Sequence, residues 1–362
     1  MKKIYTLITS IILIIMASRA NAQSGIGNNN GNGNGGGNGF SQLIKSTPAD
    51  ATLLFQNFAE PLFKGLGTGL NSGWNNTAKT KKFSHFDLRI TANIAQVPTS
   101  DQSFDVTKIG LSNHLQVDPS STTNIAPTFG GSKNAPTPLM DIKDNNGNTI
   151  GTFNMPNGVI KYIPAPDIQL TIGLVHNTDI TIRTTPTINI GNNSGSIGEI
   201  GFGIKHDIIQ DFAGKKPFPF DLAIAVNYNR INYNAPLNVQ PDNGTVPASG
   251  SQTDFSNQRV HGYFSGTNVQ VIFSKKLLFF TPFVSVGYQS ANTSLGILGN
   301  YPITTSAGVY STVTDPVQIN ETSISGLRAD VGFQLTPGFF RIFVSGSIAE
   351  YKSVNAGIGF GF

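Results

Sequence analysis

From residue 86 to the C-terminus, apolar and polar residues alternate with a period of two, which is the pattern of β-strands with two unlike faces. In the first segment, Phe86, Leu88 and Ile90 alternate with Asp87 and Arg89. Each segment is close to the roughly 9–11 residues that a tilted strand needs to cross a bilayer. The pattern predicts ten strands, at residues 86–94, 167–174, 178–190, 197–205, 218–228, 260–273, 279–289, 327–335, 340–349 and 354–362.

The charged residues of these segments bear on whether the chain is a membrane barrel or a soluble β-sandwich, which also alternates. In a membrane barrel the lipid-facing phase excludes charge, whereas the lumen accepts it. Every in-strand charge lies on the phase opposite to the Ile, Leu, Val and Phe positions: Asp87, Arg89, Asp167, Asp179, Arg183, Glu199, Lys205, Asp221, Arg328, Asp330 and Arg341. A sandwich with its charges outside shares this pattern, so the choice depends on the chain ends and the connections.

The last segment alternates Val354, Ala356, Ile358 and Phe360 with small or polar residues and ends in Phe362. A final amphipathic strand that ends in Phe resembles the sorting signal of outer-membrane β-barrels. The resemblance implies two partners, the lipid of the outer membrane and the barrel-assembly machinery, which would recognise the strand ending in Phe362.

The connections between the segments are short at one end and long at the other, as in outer-membrane barrels. An even number of strands also predicts that both termini return to the periplasm. The predicted periplasmic turns are 175–177, 206–217, 274–278 and 336–338. The predicted outer connections are 95–166, 191–196, 229–259, 290–326 and 350–353.

The N-terminus has the pattern of a secretory signal peptide, residues 1–22. Two lysines precede a short apolar run, and Ala20-Asn21-Ala22 gives the cleavage site. Residues 23–46 are rich in Gly and Asn and predict a flexible tether. Residues 47–85 predict a helix and a plug-like segment, and 86–362 the outer-membrane barrel with long extracellular loops.

The predicted helix begins at Thr47-Pro48 and runs through Glu60, with Pro61 kinking or ending it. The glycines of residues 65–69 predict a flexible joint after it. Residues 144–148 predict the turn of a hairpin, because Asn-Gly favours tight turns and the carboxylates of a calcium loop are missing. The helical segment and residues 95–166 are the two candidates for a plug.

Composition agrees with a β-rich exported chain. Charged residues are only 12% of the 362, and Gly numbers 40. There is no Cys, so the sequence predicts neither disulfides nor a lipid attached at the cleavage site. Three of the 24 Lys and Arg, Lys2, Lys3 and Arg19, lie in the predicted signal peptide. The 21 that remain nearly balance the 20 Asp and Glu, so nucleic acid is not an expected partner.

The sequence predicts no catalytic, cofactor or metal residues. The five histidines are scattered, and no two have metal-ligand spacing. An enzyme is therefore the least favoured class. An open pore usually needs about 16–18 strands, so ten strands with mixed lumen charges predict a narrow or plugged barrel whose charges pair across the interior.

Four stretches resemble a family of Bacteroidota outer-membrane proteins of unknown function. They are Gly69-Leu70-Asn71-Ser72-Gly73-Trp74-Asn75-Asn76-Thr77-Ala78, Phe86-Asp87-Leu88, Phe153-Asn154-Met155-Pro156-Asn157-Gly158 and Ile204-Lys205-His206-Asp207. More distantly, an N-terminal helix, an Asn-rich element and a barrel resemble the long-chain fatty-acid transporter family. Its plug carries Asn-Pro-Ala where this chain has Asn76-Thr77-Ala78. That resemblance implies up to fourteen strands and no catalytic residues.

Two functional hypotheses follow. The first is an outer-membrane channel or transporter with a narrow or plugged lumen, for a small or hydrophobic solute. The alternative is a structural or surface-interaction barrel that displays its extracellular loops without transport.

Overall fold

The computed structural model describes residues 43–44, 46–189, 195–213 and 218–362. The predicted signal peptide and nearly all of the predicted tether lie outside the described residues. The prediction of about ten antiparallel strands in a closed barrel is confirmed. The strands are β1 (Phe86–Gln96), β2 (Tyr162–Gly173), β3 (Thr178–Asn189), β4 (Ser196–Asp207), β5 (Asp221–Pro236), β6 (Arg259–Ser274), β7 (Phe280–Leu298), β8 (Val317–Leu335), β9 (Phe340–Ile348) and β10 (Lys352–Gly361).

Sequential strands are neighbours, and β1 pairs with β10 to close the wall. Phe86 and Phe362 exchange backbone hydrogen bonds of 3.1 and 3.2 Å at the closing seam. The five-residue helix α2 (Ile209–Ala213) lies between β4 and β5, at the same end of the barrel as Phe362. We call this end inner and the end with the long connections outer.

The outside of the barrel carries an apolar belt and the inside carries the charges. Val331 and Ile358 point away from the barrel and are each 61% exposed, whereas Arg183 and Asp179 point into the lumen and are 0% exposed. Ten of the in-strand charges are buried in the lumen, and Arg341 is half-buried near the inner end. This inside-out arrangement is that of a barrel facing lipid, and it is unlike a soluble sandwich, which buries its apolar faces.

The apolar face of several strands switches from outside to inside in their outer halves. On β7, Val284 and Val286 point outward and are exposed, whereas Leu295 and Ile297, farther along, are buried inside. The same change occurs on β8 between Leu327, which is exposed, and the buried residues toward its start. Above the belt, water replaces lipid outside the wall, so the apolar side chains turn to the interior.

This switch explains why the predicted strand bounds are too short. The segments 229–259 and 290–326 were predicted as loops, but β5 continues to Pro236, β7 continues to Leu298 and β8 begins at Val317. When the apolar residues move from the outward to the inward positions halfway along a strand, the alternation has no single phase. Its second half is then not recognised as part of the strand. The remaining residues of these connections include short strands at Val246–Pro247, Asn300–Ser306 and Val309–Thr314, which form a small sheet.

The N-terminal helix α1 runs over Pro48–Leu70, beyond the predicted end at Glu60. Thr47 caps it, because its hydroxyl accepts a hydrogen bond from the Asp50 backbone N–H at 3.3 Å. Pro61 lies inside the helix without ending it. In the described part of the chain, no helix is long and apolar enough to cross a bilayer, a finding that does not bear on strands.

The prediction of a flexible joint at residues 65–69 is wrong. Gly65, Gly67 and Gly69 belong to α1 and lie against the barrel wall, where a Cβ atom would collide with Ile163, Ala291 and Ala165 respectively. The glycines therefore permit close approach of helix and wall.

The N-terminal segment runs through the lumen from the outer end to the inner end. Near the start of α1, Asp50 accepts hydrogen bonds from the backbone N–H and hydroxyl of Ser112, in the outer connection, at 2.7 and 2.6 Å. Past the helix, Ser84 N–H donates to the Gly173 carbonyl at the inner end. The start of β1 and the end of β10 lie together at the inner end, as an even strand count predicts. The N-terminus of the chain lies outside the described residues.

The connection between β1 and β2 lies at the outer mouth, where it packs against α1 and the inward faces of the outer strand halves. It holds short strands at Ser103–Asp105, Leu115–Val117, Ile125–Pro127, Leu139–Lys143 and Thr149–Asn154. The predicted turn at 144–148 is present, with Gly147 at φ +83°. We call α1 residues 48–63 and the connection 97–161 together the outer cap. Its side chains, such as Leu54, Phe58, Met140 and Phe153, share a buried apolar cluster with the outer halves of the strands.

The position of the belt gives a test on a single strand. Val331→Lys places a charge on the lipid face of β8 and should destabilise the folded barrel in bilayers by about 2–4 kcal/mol. Thr322→Lys, on the same face but above the belt, should have little effect. Urea unfolding in liposomes measures both, and an equal loss for the two variants would contradict the belt.

Candidate functional site

The C-terminus of α1 ends inside the lumen, where two arginines of the wall bind its free carbonyl groups. Arg328 on β8 donates to the Thr68 carbonyl at 3.4 Å, and Arg183 on β3 donates to the Leu70 carbonyl at 3.2 Å. The last carbonyls of a helix have no partner within the helix and carry partial negative charge. Cations of the wall therefore cap the helix.

Arg183 is the central contact between the wall and the plug, by which we mean the part of the N-terminal segment (residues 47–85) that lies inside the lumen. Its Nη2 also donates to the Ser72 carbonyl at 3.1 Å, and its Nε lies 3.3 Å from an Asp167 oxygen on β2. Its guanidinium stacks on the Trp74 ring at 3.9 Å from the ring centroid. One fully buried cation thus joins two strands, the helix end and the only Trp of the chain.

Trp74 fits because the wall beside it has no side chains. Added Cβ atoms at Gly201 and Gly203 on β4 would lie 3.0 and 3.2 Å from its ring. The indole Nε1 donates to the Leu70 carbonyl at 2.9 Å, so its polar group is satisfied within the plug. The alternating glycines of β4 therefore form a slot for this ring.

The inner half of the lumen repeats the arrangement with lysines. Lys205 on β4 lies 3.1 Å from Asp179 on β3 and donates to the carbonyls of Thr77 and Lys79, each at 3.1 Å. Lys81 of the plug donates to Asp87 on β1 at 3.0 Å. Three wall cations, Arg328, Arg183 and Lys205, therefore bind plug carbonyls in succession down the axis.

The lumen charges pair along the wall and not across its centre. Arg183 and Lys205 pair with carboxylates on the adjacent strand, and Arg328 pairs with Asp330 on its own strand at 2.8 Å. The plug occupies the centre, so each cation is held at the wall and reaches inward to backbone oxygen. The described part of the lumen is filled along its axis.

The wall has an interruption between β2 and β3. Their pairing runs from Gly173↔Asp179 to Gln169↔Arg183 and ends there. Above that point β2 remains paired with β1 up to Tyr162, and β3 remains paired with β4 up to Asn189. We call the unpaired stretch, residues 162–168 facing 184–189, the seam.

Prolines explain the seam. Gly173 N–H donates to the His85 carbonyl, and Lys161 C=O accepts from Val97, so the odd-numbered residues of β2 direct their backbone groups toward β1. Pro164 and Pro166 are even-numbered, and their nitrogens, which carry no hydrogen, face β3. Pro186 interrupts β3 where its pairing with β4 changes register. Proline is tolerated in a sheet at an edge whose N–H side is unpaired, and these prolines create that edge.

The seam lies at the height of the apolar belt. Pro164 and Pro166 pair in register with Ile94 and Ala92, which face outward and are exposed. A sheet edge open to hydrocarbon leaves backbone groups without partners, which costs several kcal/mol for each group. The seam is therefore the stretch of the described wall where such partners would have to come from outside the β2–β3 ladder.

A polar cluster closes the outer end of the lumen. Lys64 of α1 lies 3.4 Å from Asp101 and 3.0 Å from Glu350, and the Tyr351 hydroxyl donates to Asp101 at 2.8 Å. Partial burial alone would raise the pKa of the Asp101 carboxyl. Hydrogen bonds from Ser100 and Tyr351 and the charge of Lys64 outweigh it and lower that pKa below its ordinary value.

The structure brings together one arrangement that resembles a catalytic triad, and sequence reasoning missed it. His206 lies 2.9 Å from the Thr178 hydroxyl and 2.8 Å from Asp211, at the inner end. The Thr178 hydroxyl donates to the His176 carbonyl, so its proton is directed away from the imidazole. The side chains of His206 and Asp211 are 36% and 52% exposed, which gives no water-excluded site.

No cluster that could hold a metal ion occurs among the described residues. The described residues thus bring together a plug, a row of cations and a seam.

Arg183 gives a stability test. Arg183→Met should destabilise the barrel by about 3–5 kcal/mol, because it leaves Asp167 buried without its cation. Arg183→Met combined with Asp167→Asn should lose less, since no uncompensated charge remains. Urea unfolding in liposomes measures the loss, and protease cleavage within 71–85 reports release of the plug. A single variant as stable as the parent would contradict the role of Arg183.

Asp101 gives a pH test of the outer cap. Because its folded pKa lies below its unfolded value of about 3.9, its contribution to stability is present above that pH and is lost as pH falls through the folded pKa. Protease resistance of residues 97–161 should therefore be constant from neutral pH to about 4 and fall below it. Asp101→Asn should be less resistant at neutral pH and show a smaller fall. An unchanged pH profile in that variant would contradict the assignment.

Solved structures with a similar arrangement are outer-membrane proteins, all with low identity. The outer membrane protease OmpT of Escherichia coli is 10% identical, with a TM-score of 0.32, and the match covers 79% of this chain and 100% of that one. The attachment invasion locus protein Ail of Yersinia pestis is 9% identical, with a TM-score of 0.24, covering 76% and 99%. The toluene transporter TbuX of Ralstonia pickettii is 9% identical, with a TM-score of 0.26, covering 82% and 97%. The barrel assignment rests on the strand pairing, not on these scores.

No curated protein matches the chain. A family model matches residues 1–362, and the chain belongs to that family, described as a family of unknown function (DUF6588).

Proposed function

We propose that this protein is an outer-membrane barrel whose lumen is a socket for its own N-terminal segment, and that it presents the outer cap as an interaction surface. The observation that carries the proposal is the continuity of the segment. Residues 48–63 belong to the apolar cluster of the cap, and residues 68–79 are bound by the wall cations. Fixing the lower part of the segment therefore fixes the cap over the mouth.

The polar contacts of the cap strengthen this proposal. Asp50 near the start of α1 binds Ser112, and the Phe58 carbonyl accepts from Phe129 N–H at 2.7 Å. The cap is therefore bonded to the helix along its length, as expected of a surface built to keep one shape.

A second candidate function is transfer of a small or hydrophobic solute, and the seam favours it. The lumen is filled along its axis, so a solute would need either displacement of the plug or entry from the side. At the seam, the described strands β2 and β3 are not paired with each other between Pro166 and Thr184, at membrane height. A hydrophobic small molecule carrying a hydrogen-bond donor suits this edge.

Outer-membrane lipid and the barrel-assembly machinery are the partners that we propose for insertion. Support comes from the inner rim, where Phe362 is 61% exposed and its ring lies 4.8 Å from that of Phe86. These rings close the barrel at β10 and β1 and provide an interfacial aromatic girdle.

A disulfide that fixes the plug separates the two functions. The hydroxyl oxygens of Ser72 in the plug and Ser353 on β10 lie 3.2 Å apart. The chain has no Cys of its own, so Ser72→Cys with Ser353→Cys creates a single bridge. The presentation proposal predicts that the bridged protein keeps the protease resistance of its cap. It also predicts that parent and bridged protein alike fail to admit a small sugar or a fluorescent fatty acid into liposomes.

A wall–wall bridge is the matched control. Thr293 on β7 and Ser323 on β8 also have hydroxyls in contact, at 2.6 Å, and bridging them leaves the plug free. Uptake by the parent and by this control, lost only in the plug-bridged protein, would contradict pure presentation. It would establish a transporter with a moving plug. Uptake that persists in both bridged proteins would instead indicate the seam as the route.

A further inference from the structure

Arg230 lies on the lipid-facing side of β5, directly above the apolar belt. The outward positions below it are Ile224, Val226 and Tyr228, which are each 42–43% exposed. Its neighbour in register on β4 is Ile200, also outward and 46% exposed. A charge at this height faces the headgroup layer, not the hydrocarbon.

The guanidinium of Arg230 is already oriented. It stacks on the Tyr263 ring of β6 at 3.8 Å from the centroid, and its Nε donates to Asn232 Oδ1 at 2.9 Å. Among the described residues, no carboxylate pairs with it. Its two terminal amino groups therefore remain available for a planar, bidentate acceptor such as phosphate.

The surrounding surface is basic and polar. His261 and Arg259 follow Tyr263 at alternate positions of β6, are exposed and share its outward face. Their neighbours on β5, Asn234 and Pro236, carry no charge. The outward positions of β4 to β7 at this height contain no carboxylate: Ser196, Gly198, Asn232, Asn234, His261, Tyr263, Asn292 and Ser294.

We propose that Arg230, stacked on Tyr263, forms the binding site for the phosphate group of a phosphorylated lipid in the outer leaflet. Arg259, farther out along β6, adds positive charge to the same face. The inference rests on the proposed location in the outer membrane. It is independent of whether the protein presents its cap or transfers a solute.

The height of the site favours a lipid over free phosphate. Arg230 supplies two donors in a fixed plane, and stacking on Tyr263 lowers the entropy lost when it binds. Tyr228, just below Arg230, and Ile200, beside it on β4, would contact the apolar part of the same molecule. A free anion would gain only the polar contacts.

The test uses the full chain in nanodiscs of phosphatidylcholine, doped with either phosphorylated lipid A or its dephosphorylated form. Native mass spectrometry counts the lipid retained on the protein. We expect the phosphorylated form to be retained roughly tenfold more strongly, and Arg230→Gln to remove most of that preference. Tyr263→Phe should keep it, because the ring still stacks, and Tyr263→Ala should weaken it. Lys352→Gln, on the rim at β10, is the matched control and should change nothing.

The failures of the two proposals are distinguishable. Heat-modifiable migration in SDS shows whether each variant is inserted as a folded barrel, whatever lipid it retains. A folded Arg230→Gln variant that keeps the preference would overturn the site, as would equal retention of the two lipids by the parent. Displacement of the lipid by millimolar inorganic phosphate would show a general anion site and would also overturn it.

Discussion

The lumen of this barrel depends on the match between wall cations and the backbone oxygen of the N-terminal segment. Arg183, Arg328 and Lys205 each have a wall carboxylate as partner, and each also reaches plug carbonyls. A buried cation with one carboxylate still has donors to satisfy, and a helix end has carbonyls without partners. The free donors of the wall cations and the free carbonyls of the helix end bind each other at the centre of the barrel. Without the segment, the same charges would line a narrow, water-filled interior.

The wall is adapted to different surroundings at different heights. In the belt its apolar residues face out, and its polar residues face the plug. Above the belt the faces exchange, and Leu295 and Ile297 of β7 pack inward into the cluster that includes Phe63 of α1. The folded outer cap is thus continuous with the barrel. The seam is the exception, because there β2 and β3 are not paired with each other although each is paired with its other neighbour.

The sequence predicts the features that depend on a uniform environment. A single alternation of apolar and polar residues, with a period of two and one phase in each strand, predicts these features. They are the number of strands, the side of the wall that carries the charges, and the aromatic strand that closes the barrel. The outer halves of β7 and β8 could not be predicted, because their phase inverts where lipid gives way to water. Helix α1 was predicted to kink or end at Pro61, since local propensity does not include the wall that packs against Gly65 and Gly67. Pro164, Pro166 and Pro186 are visible in the sequence as a local signal for the seam. Whether a proline interrupts pairing depends on which neighbouring strand its nitrogen faces, and that is fixed only by the tertiary fold.

The path of the N-terminal segment is the central claim, and single cysteines in this Cys-free chain test it most directly. A membrane-impermeant maleimide is applied to oriented vesicles from the outer side, from the inner side, or after unfolding. Cysteine at Pro48, exposed at the start of α1, should react only from the outer side, and at Lys82, exposed near the start of β1, only from the inner side. Cysteine at Ser72, 0% exposed, should react only after unfolding. Labelling of position 48 from the inner side, or of position 72 in the folded protein, would contradict a segment that fills the lumen from end to end.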